Sequence, residues 1–209
     1  MTDHPVVFLD VDTQRDFLAG DGALPVPGGE ALIPAIQRLV AYAFSHGVPV
    51  VSSMDSHPPG DPEFADFPPH CVAGTRGQLK VDGTTLGNAL VVPNDPDQPP
   101  DEKAVAAAQQ VIIEKQTYNL FDNPHAGAVF RALAPRLVVA FGVATDYCVR
   151  AAVLGLCGRG YRTAVVTDAI QGIKEQASKV ALAEMRRAGA EFITAAEVLS
   201  QADPAALSL

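Results

Sequence analysis

Hydrophobic positions in this chain follow two alternating patterns. Short runs rich in β-branched residues, such as Val6-Val7-Phe8-Leu9 and Val111-Ile112-Ile113, lie between turn-forming residues. They read as strands buried on both faces of a parallel sheet. Such runs occupy residues 5–11, 48–54, 110–114, 137–142, 162–167 and 190–194. Between them, apolar residues return at helical spacing over Gly29 to Ser45, Pro124 to Leu133, Asp146 to Gly158 and Lys174 to Ala188. A short last helix is expected near Ala195 to Gln201. The alternation predicts an α/β fold: a doubly wound, mainly parallel six-stranded sheet with helices on both faces, in a three-layer αβα sandwich.

Two stretches break the rhythm. Residues 55–78 mix His, Pro, Asp and Gly without a helical period and read as a long loop after the second strand. Residues 79–101 read as an insertion, with a hairpin over Leu79 to Val92 and then the proline-rich stretch Pro93 to Pro100. Proline lacks the backbone donor a strand needs, and so long a loop inside a domain is usually functional. An insertion at this point can reshape the entrance to a crevice beside it, and its role stays open. No internal repeat is evident, and residues 1–209 read as a single domain.

Three strands end in a reactive side chain. The first leads to Asp12, the third to Lys115, and the run Leu137 to Ala144 to Cys148. Ligands of an open α/β sheet bind outside the carboxyl ends of its strands, so acid, amine and thiol meet at one edge. A thiol in the first turn of a helix is pulled toward thiolate by the helix dipole, beside free N–H groups able to hold an oxyanion. Asp12 is then placed as the general base, taking the thiol proton and passing it to a leaving amine. Lys115 would hold both in their charged forms. Each residue alone has an ordinary alternative: a buried free cysteine, a turn aspartate, a surface lysine. That alternative is preferred for Cys157, Asp10 and Asp16, and Cys71 stays open.

The loop carries a second set. Asp55, His57, Glu63 and His70 put two imidazoles and two carboxylates near the end of the second strand. That donor set suits Zn²⁺ first, with Fe²⁺ or Mn²⁺ as alternatives. Single loop histidines are more often solvated, which is the reading for His4, His46 and His125.

Composition narrows the class. With 48% hydrophobic and 19% charged residues the chain can bury a core, so disorder is excluded. A net charge of −9 argues against nucleic acid or an anionic membrane as partner. No apolar run approaches the roughly 20 residues of a membrane span, and no leader pattern opens the chain. Three cysteines without metal-ligand spacing fit a reducing, cytoplasmic setting and give no resolving partner for a redox thiol.

Taken in order, Asp12-Thr13-Gln14-Arg15-Asp16-Phe17, Asp55-Ser56-His57, Pro68 to Thr75, Lys115 and Gly142 to Cys148 resemble the isochorismatase-like cysteine hydrolases, and within them the nicotinamidases (pyrazinamidases). The likeness spans about Val6 to Phe192. It implies an Asp12–Lys115–Cys148 triad, a cis peptide at Val143–Ala144, and an oxyanion hole from the N–H groups of Ala144 and Cys148. It also implies a divalent metal on Asp55, His57, Glu63 and His70 that binds the pyridine nitrogen of a small-molecule amide. Family pockets often carry a tryptophan; this chain has none, and Phe67 stands in its place, with Phe17, Val143 and Tyr147 as further substrate contacts. Tyr118 and Phe121 are expected to wall the same pocket. The implied activity is hydrolysis of nicotinamide to nicotinate and ammonia. The alternatives are an amidase for another small amide or ureido compound, and a silent binding protein on the same fold. By analogy with the family, a homo-oligomer is expected.

Overall fold

A computed structural model describes residues 5–207. His4 lies outside them. Among the described residues the strands are β1 (Val6–Val11), β2 (Val50–Asp55), β3 (Leu90–Val92), β4 (Gln110–Lys115), β5 (Leu137–Val143), β6 (Arg162–Gln171) and β7 (Glu191–Ile193). They form one seven-stranded sheet in the order β3-β4-β2-β1-β5-β6-β7, with every pairing parallel. β1 and β5 are buried along their whole length, as apolar runs covered on both faces must be. The chain winds outward from β1 to one side and then crosses to β5 on the other. The switch point, where a crevice opens, therefore lies between β1 and β5.

Helices cover both faces. On one, α2 (Ile33–Ser45) and α7 (Ala195–Leu199) pack on Val6, Phe8, Val50, Val139 and Phe141. α2 carries Pro34 in its first turn, where an N–H would lack a helical partner, and buries Ile36, Leu39, Val40 and Ala43 along one stripe. On the other face, α4 (Ala126–Leu133) and α5 (Arg150–Cys157) cover Val7, Leu9, Val51 and Val138, and Met185 of α6 (Glu175–Arg187) joins them. The short α1 (Arg15–Leu18) follows β1, and α3 (Glu102–Ala107) precedes β4.

Four expectations change. The hairpin over Leu79 to Val92 is absent: Lys80 makes only an isolated antiparallel bridge to Gln14, while Leu90–Val92 becomes the seventh strand, parallel on the open edge of β4. The free edge of β4, which no local pattern reveals, selects that pairing. The proline-rich stretch runs into α3, whose start is capped by Asp101 accepting from Lys103 and Ala104 N–H. The helix expected from Asp146 begins as a wider π-turn, Thr145–Val149, before α5. His125 is buried, its Nε2 2.8 Å from the Asp95 carbonyl, which anchors the proline-rich stretch.

Candidate active site

The carboxyl ends of β1, β2, β4 and β5 bring the reactive residues together. Val11 pairs with Ser53 and Gly142, and Asp55 with Lys115, so all four strands end at the same level. Gly142 is required there. Its φ is 118°, and a Cβ would lie 2.0 Å from the Val11 carbonyl oxygen. The Val143–Ala144 peptide that follows is cis.

Lys115 is 1% exposed, and its ammonium gathers three partners. Asp12 Oδ2 is 2.8 Å from Nζ, Cys148 Sγ is 3.6 Å away, and Asp55 Oδ1 is hydrogen-bonded to it. Ser53 Oγ donates to Asp12 Oδ1 at 2.6 Å. Asp12 Oδ2, though in ionic contact with Lys115, has no well-directed hydrogen bond.

The electrostatics correct one expectation. Burial raises the Cys148 thiol well above the ordinary cysteine range; Lys115 opposes this, while Asp12 and Asp55 add to it. Burial and two carboxylates outweigh Lys115 and favour thiol over thiolate, so attack by Cys148 needs a base. Burial also raises Asp12 above the usual carboxylate value, against the pull of Lys115. For Lys115 itself burial works downward, but Asp12 and then Asp55 outweigh it and hold the ammonium well above the lysine range. Burial would raise Asp55 too, but Lys115 and the His57 hydrogen bond bring it below its ordinary value.

Three of the four expected ligands converge. Ligand atoms of Asp55, His57 and His70, all buried, lie within 4.8 Å of one another. Among the described residues His57 Nε2 is buried without a hydrogen-bond partner, and His70 Nδ1 lies 2.9 Å from the Pro68 carbonyl, which leaves its Nε2 to face the site. An orphaned imidazole nitrogen facing a carboxylate and a second imidazole fits a divalent ion. Glu63 is half-buried and groups with His57 and Asp61 rather than with Asp55 and His70. Burial leads in raising its carboxyl.

Both sets open onto one pocket. Cys148, Ala144, Asp55, Glu63 and His70 line it, along with Phe17, Phe67, Val143 and Tyr147, all four expected substrate contacts. Tyr118 joins the wall, its ring 6.4 Å from Phe67 and 5.1 Å from Tyr147. Phe121 does not; it packs on Phe130 with the Arg159 guanidinium over its ring. No residue of 79–101 lines the pocket.

The model of the isochorismatase domain matches residues 6–197. The chain belongs to the isochorismatase family. It is 30% identical to a nicotinamidase of Escherichia coli, over 92% of this chain and 96% of that one. It is 31% identical to a nicotinamidase/pyrazinamidase of Mycobacterium tuberculosis, over 88% and 95%. The crystal structure of a pyrazinamidase of Pyrococcus horikoshii in complex with zinc superposes with a TM-score of 0.76 at 30% identity, covering 91% of this chain and 99% of that one.

Sequence reading missed two supports of this isochorismatase-family site. The Gln14 carboxamide brackets the Asp55 peptide: Nε2 donates to Asp55 O at 2.8 Å, and Oε1 accepts from Asp55 N–H at 2.7 Å. Its place in the segment after Asp12 was the only signal. Asp10, expected to be a turn residue, is fully buried instead and accepts from Thr13 and Ser52 beside the Lys80 ammonium. Asp16 accepts from Ala23 N–H nearby in the chain and from Cys71 N–H across 55 residues. Cys71 is buried, and burial pushes its thiol up beyond any useful range.

Proposed function

We propose that this chain is a nicotinamidase, hydrolysing nicotinamide to nicotinate and ammonia through a thioester on Cys148. That it is an amide-hydrolysing enzyme follows from its family and relatives. The observation that carries the finer reading is Lys115, whose one ammonium joins Asp12 and Cys148 to the metal-binding set through Asp55, behind an aromatic-walled pocket that Cys148 and Asp55 line.

In this reading Asp12 takes the Cys148 proton as Sγ attacks the carboxamide carbon. Negative charge develops on the carbonyl oxygen, and the N–H groups of Ala144 and Cys148 receive it. Asp12 returns the proton to the leaving nitrogen, ammonia departs, and a thioester remains. Asp12 then accepts a proton from attacking water, nicotinate is released, and the proton returns to sulfur. Lys115 stays charged throughout and offsets the negative charge that moves between Asp12 and Cys148. Phe17, Phe67 and Tyr147 pack on the flat ring. Held by Asp55, His57 and His70 with Glu63 alongside, a divalent ion would supply a Lewis acid for the pyridine nitrogen. The zinc complex of the Pyrococcus enzyme supports zinc for this role. The activity would serve pyridine nucleotide salvage in the cytoplasm.

The test is ammonia release from nicotinamide by zinc-reconstituted protein, beside Cys148→Ala. Release by the native chain and none by the variant is expected. Undiminished release by the variant would sink the thioester route. No release from nicotinamide, with release from another small amide, would sink the substrate assignment alone.

A further inference from the structure

We infer that Asp61 is a positioning residue for the metal set, orienting His57 and holding the turn that carries Glu63 with one carboxylate. The inference rests on the metal-binding reading of Asp55, His57 and His70. Asp61 Oδ2 lies 3.1 Å from His57 Nδ1, and Asp61 Oδ1 accepts the Glu63 N–H at 2.9 Å. The two side chains are 1% and 9% exposed. A neutral imidazole has one donor nitrogen and one acceptor. When Nδ1–H donates to Asp61, the lone pair is left on Nε2, the buried atom that has no hydrogen-bond partner and lies 3.9 Å from Asp55 Oδ2. A carboxylate behind a ligating histidine fixes its tautomer and ring plane and strengthens it as a donor.

The local sequence explains how Asp61 gets there. Gly60 turns the chain with a φ of 91°, and Asp61 N–H donates to the Pro58 carbonyl, which folds the loop back onto His57. Pro62 follows at the start of the 3-10 turn Pro62–Ala65 that Asp61 caps, and that turn carries Glu63. The other histidine is held differently, by the neutral carbonyl of Pro68. Ligand atoms of His57, Asp61 and Glu63 also fall within 4.8 Å of one another, so direct ligation by Asp61 is the rival. Both Asp61 oxygens already have partners inside the loop, which favours support over ligation.

The experiment is a Zn²⁺ competition titration against a chromophoric chelator for the native chain, Asp61→Ala and Asp61→Asn, with visible spectra of the Co²⁺ forms. Asp61→Ala is expected to weaken Zn²⁺ binding about 10- to 100-fold. Asp61→Asn should recover part of this, because its amide oxygen still accepts from Nδ1–H, and both Co²⁺ spectra should keep the native coordination number. Native affinity in Asp61→Ala would overturn the inference. A changed coordination number in the Co²⁺ spectra would overturn it in favour of ligation. A native chain that binds no Zn²⁺ would remove the metal reading as well, a distinct result.

Discussion

The Lys80 ammonium stands 2.9 Å from the Asp10 carboxylate, and neither side chain is more than 1% exposed. The contact is ionic rather than a well-aligned hydrogen bond. Thr13 Oγ1 and Ser52 Oγ satisfy Asp10 from the sheet side, at 2.7 and 3.1 Å. Gln110 extends the network from Ser52 to the Thr84 carbonyl. This second buried pair pins the segment after Gln78 to the face of the sheet, next to the residues that carry Asp12.

Removing one partner should therefore cost more than removing both. Lys80→Ala leaves a buried, uncompensated carboxylate and is expected to cost about 3–5 kcal/mol, whereas Asp10→Leu with Lys80→Met should recover most of it. Urea unfolding of the three proteins checks the order. A double variant as unstable as Lys80→Ala would contradict the account.

Lys115→Met should abolish turnover and expose a pH-dependent instability. Without the ammonium, buried Asp12 and Asp55 have folded-state pKa values above the unfolded value of about 3.9. A carboxyl raised in the folded state costs stability while ionised, and the deficit shrinks as pH falls through its folded pKa. The expected loss is about 3–5 kcal/mol at neutral pH, narrowing on acidification. Thermal unfolding of chelated native and variant protein across a pH series measures it, and a gap that widens toward acid would refute the sign.

The rate should fall on the acid side earlier than for an ordinary aspartate. Asp12 must be ionised to accept the Cys148 proton, and burial raises it. The acid limb of kcat should lie above about 3.9, with an apparent value belonging to the Asp12–Cys148 pair together. A kcat profile of the zinc-loaded enzyme that stays flat down to that value would remove Asp12 as the base.

Chelation should take away activity and leave the fold. The loop is held by its own backbone: His57 N–H donates to Cys71 O at 3.1 Å, and Ala73 N–H to His57 O at 2.9 Å. A Lewis acid is worth several kcal/mol, so ammonia release should fall on the order of 100-fold or more and return with Zn²⁺. Circular dichroism before and after separates the two effects; loss of the sheet signal on chelation would show a structural metal instead.

The sequence by itself determined the parallel αβα architecture, because strands buried on both faces must be apolar throughout and helices between them must carry one apolar stripe. It also determined which residues stand at the carboxyl ends of the strands. Asp12, Lys115 and Cys148 each follow directly from a run whose length and direction are legible. Tertiary structure alone decided what those residues face. Nothing local says that Lys115 gathers Asp12 and Asp55 at once, or that burial raises the Cys148 thiol. Nor could local pattern foresee that Leu90–Val92 joins the free edge of β4, or that Asp10 is buried opposite Lys80. A left-handed φ of 48° at Asp12 breaks the strand's alternation, so Asp10 and Asp12 face different lysines. Pairings across 33 to 103 residues depend on register and desolvation, which exist only once the sheet has formed.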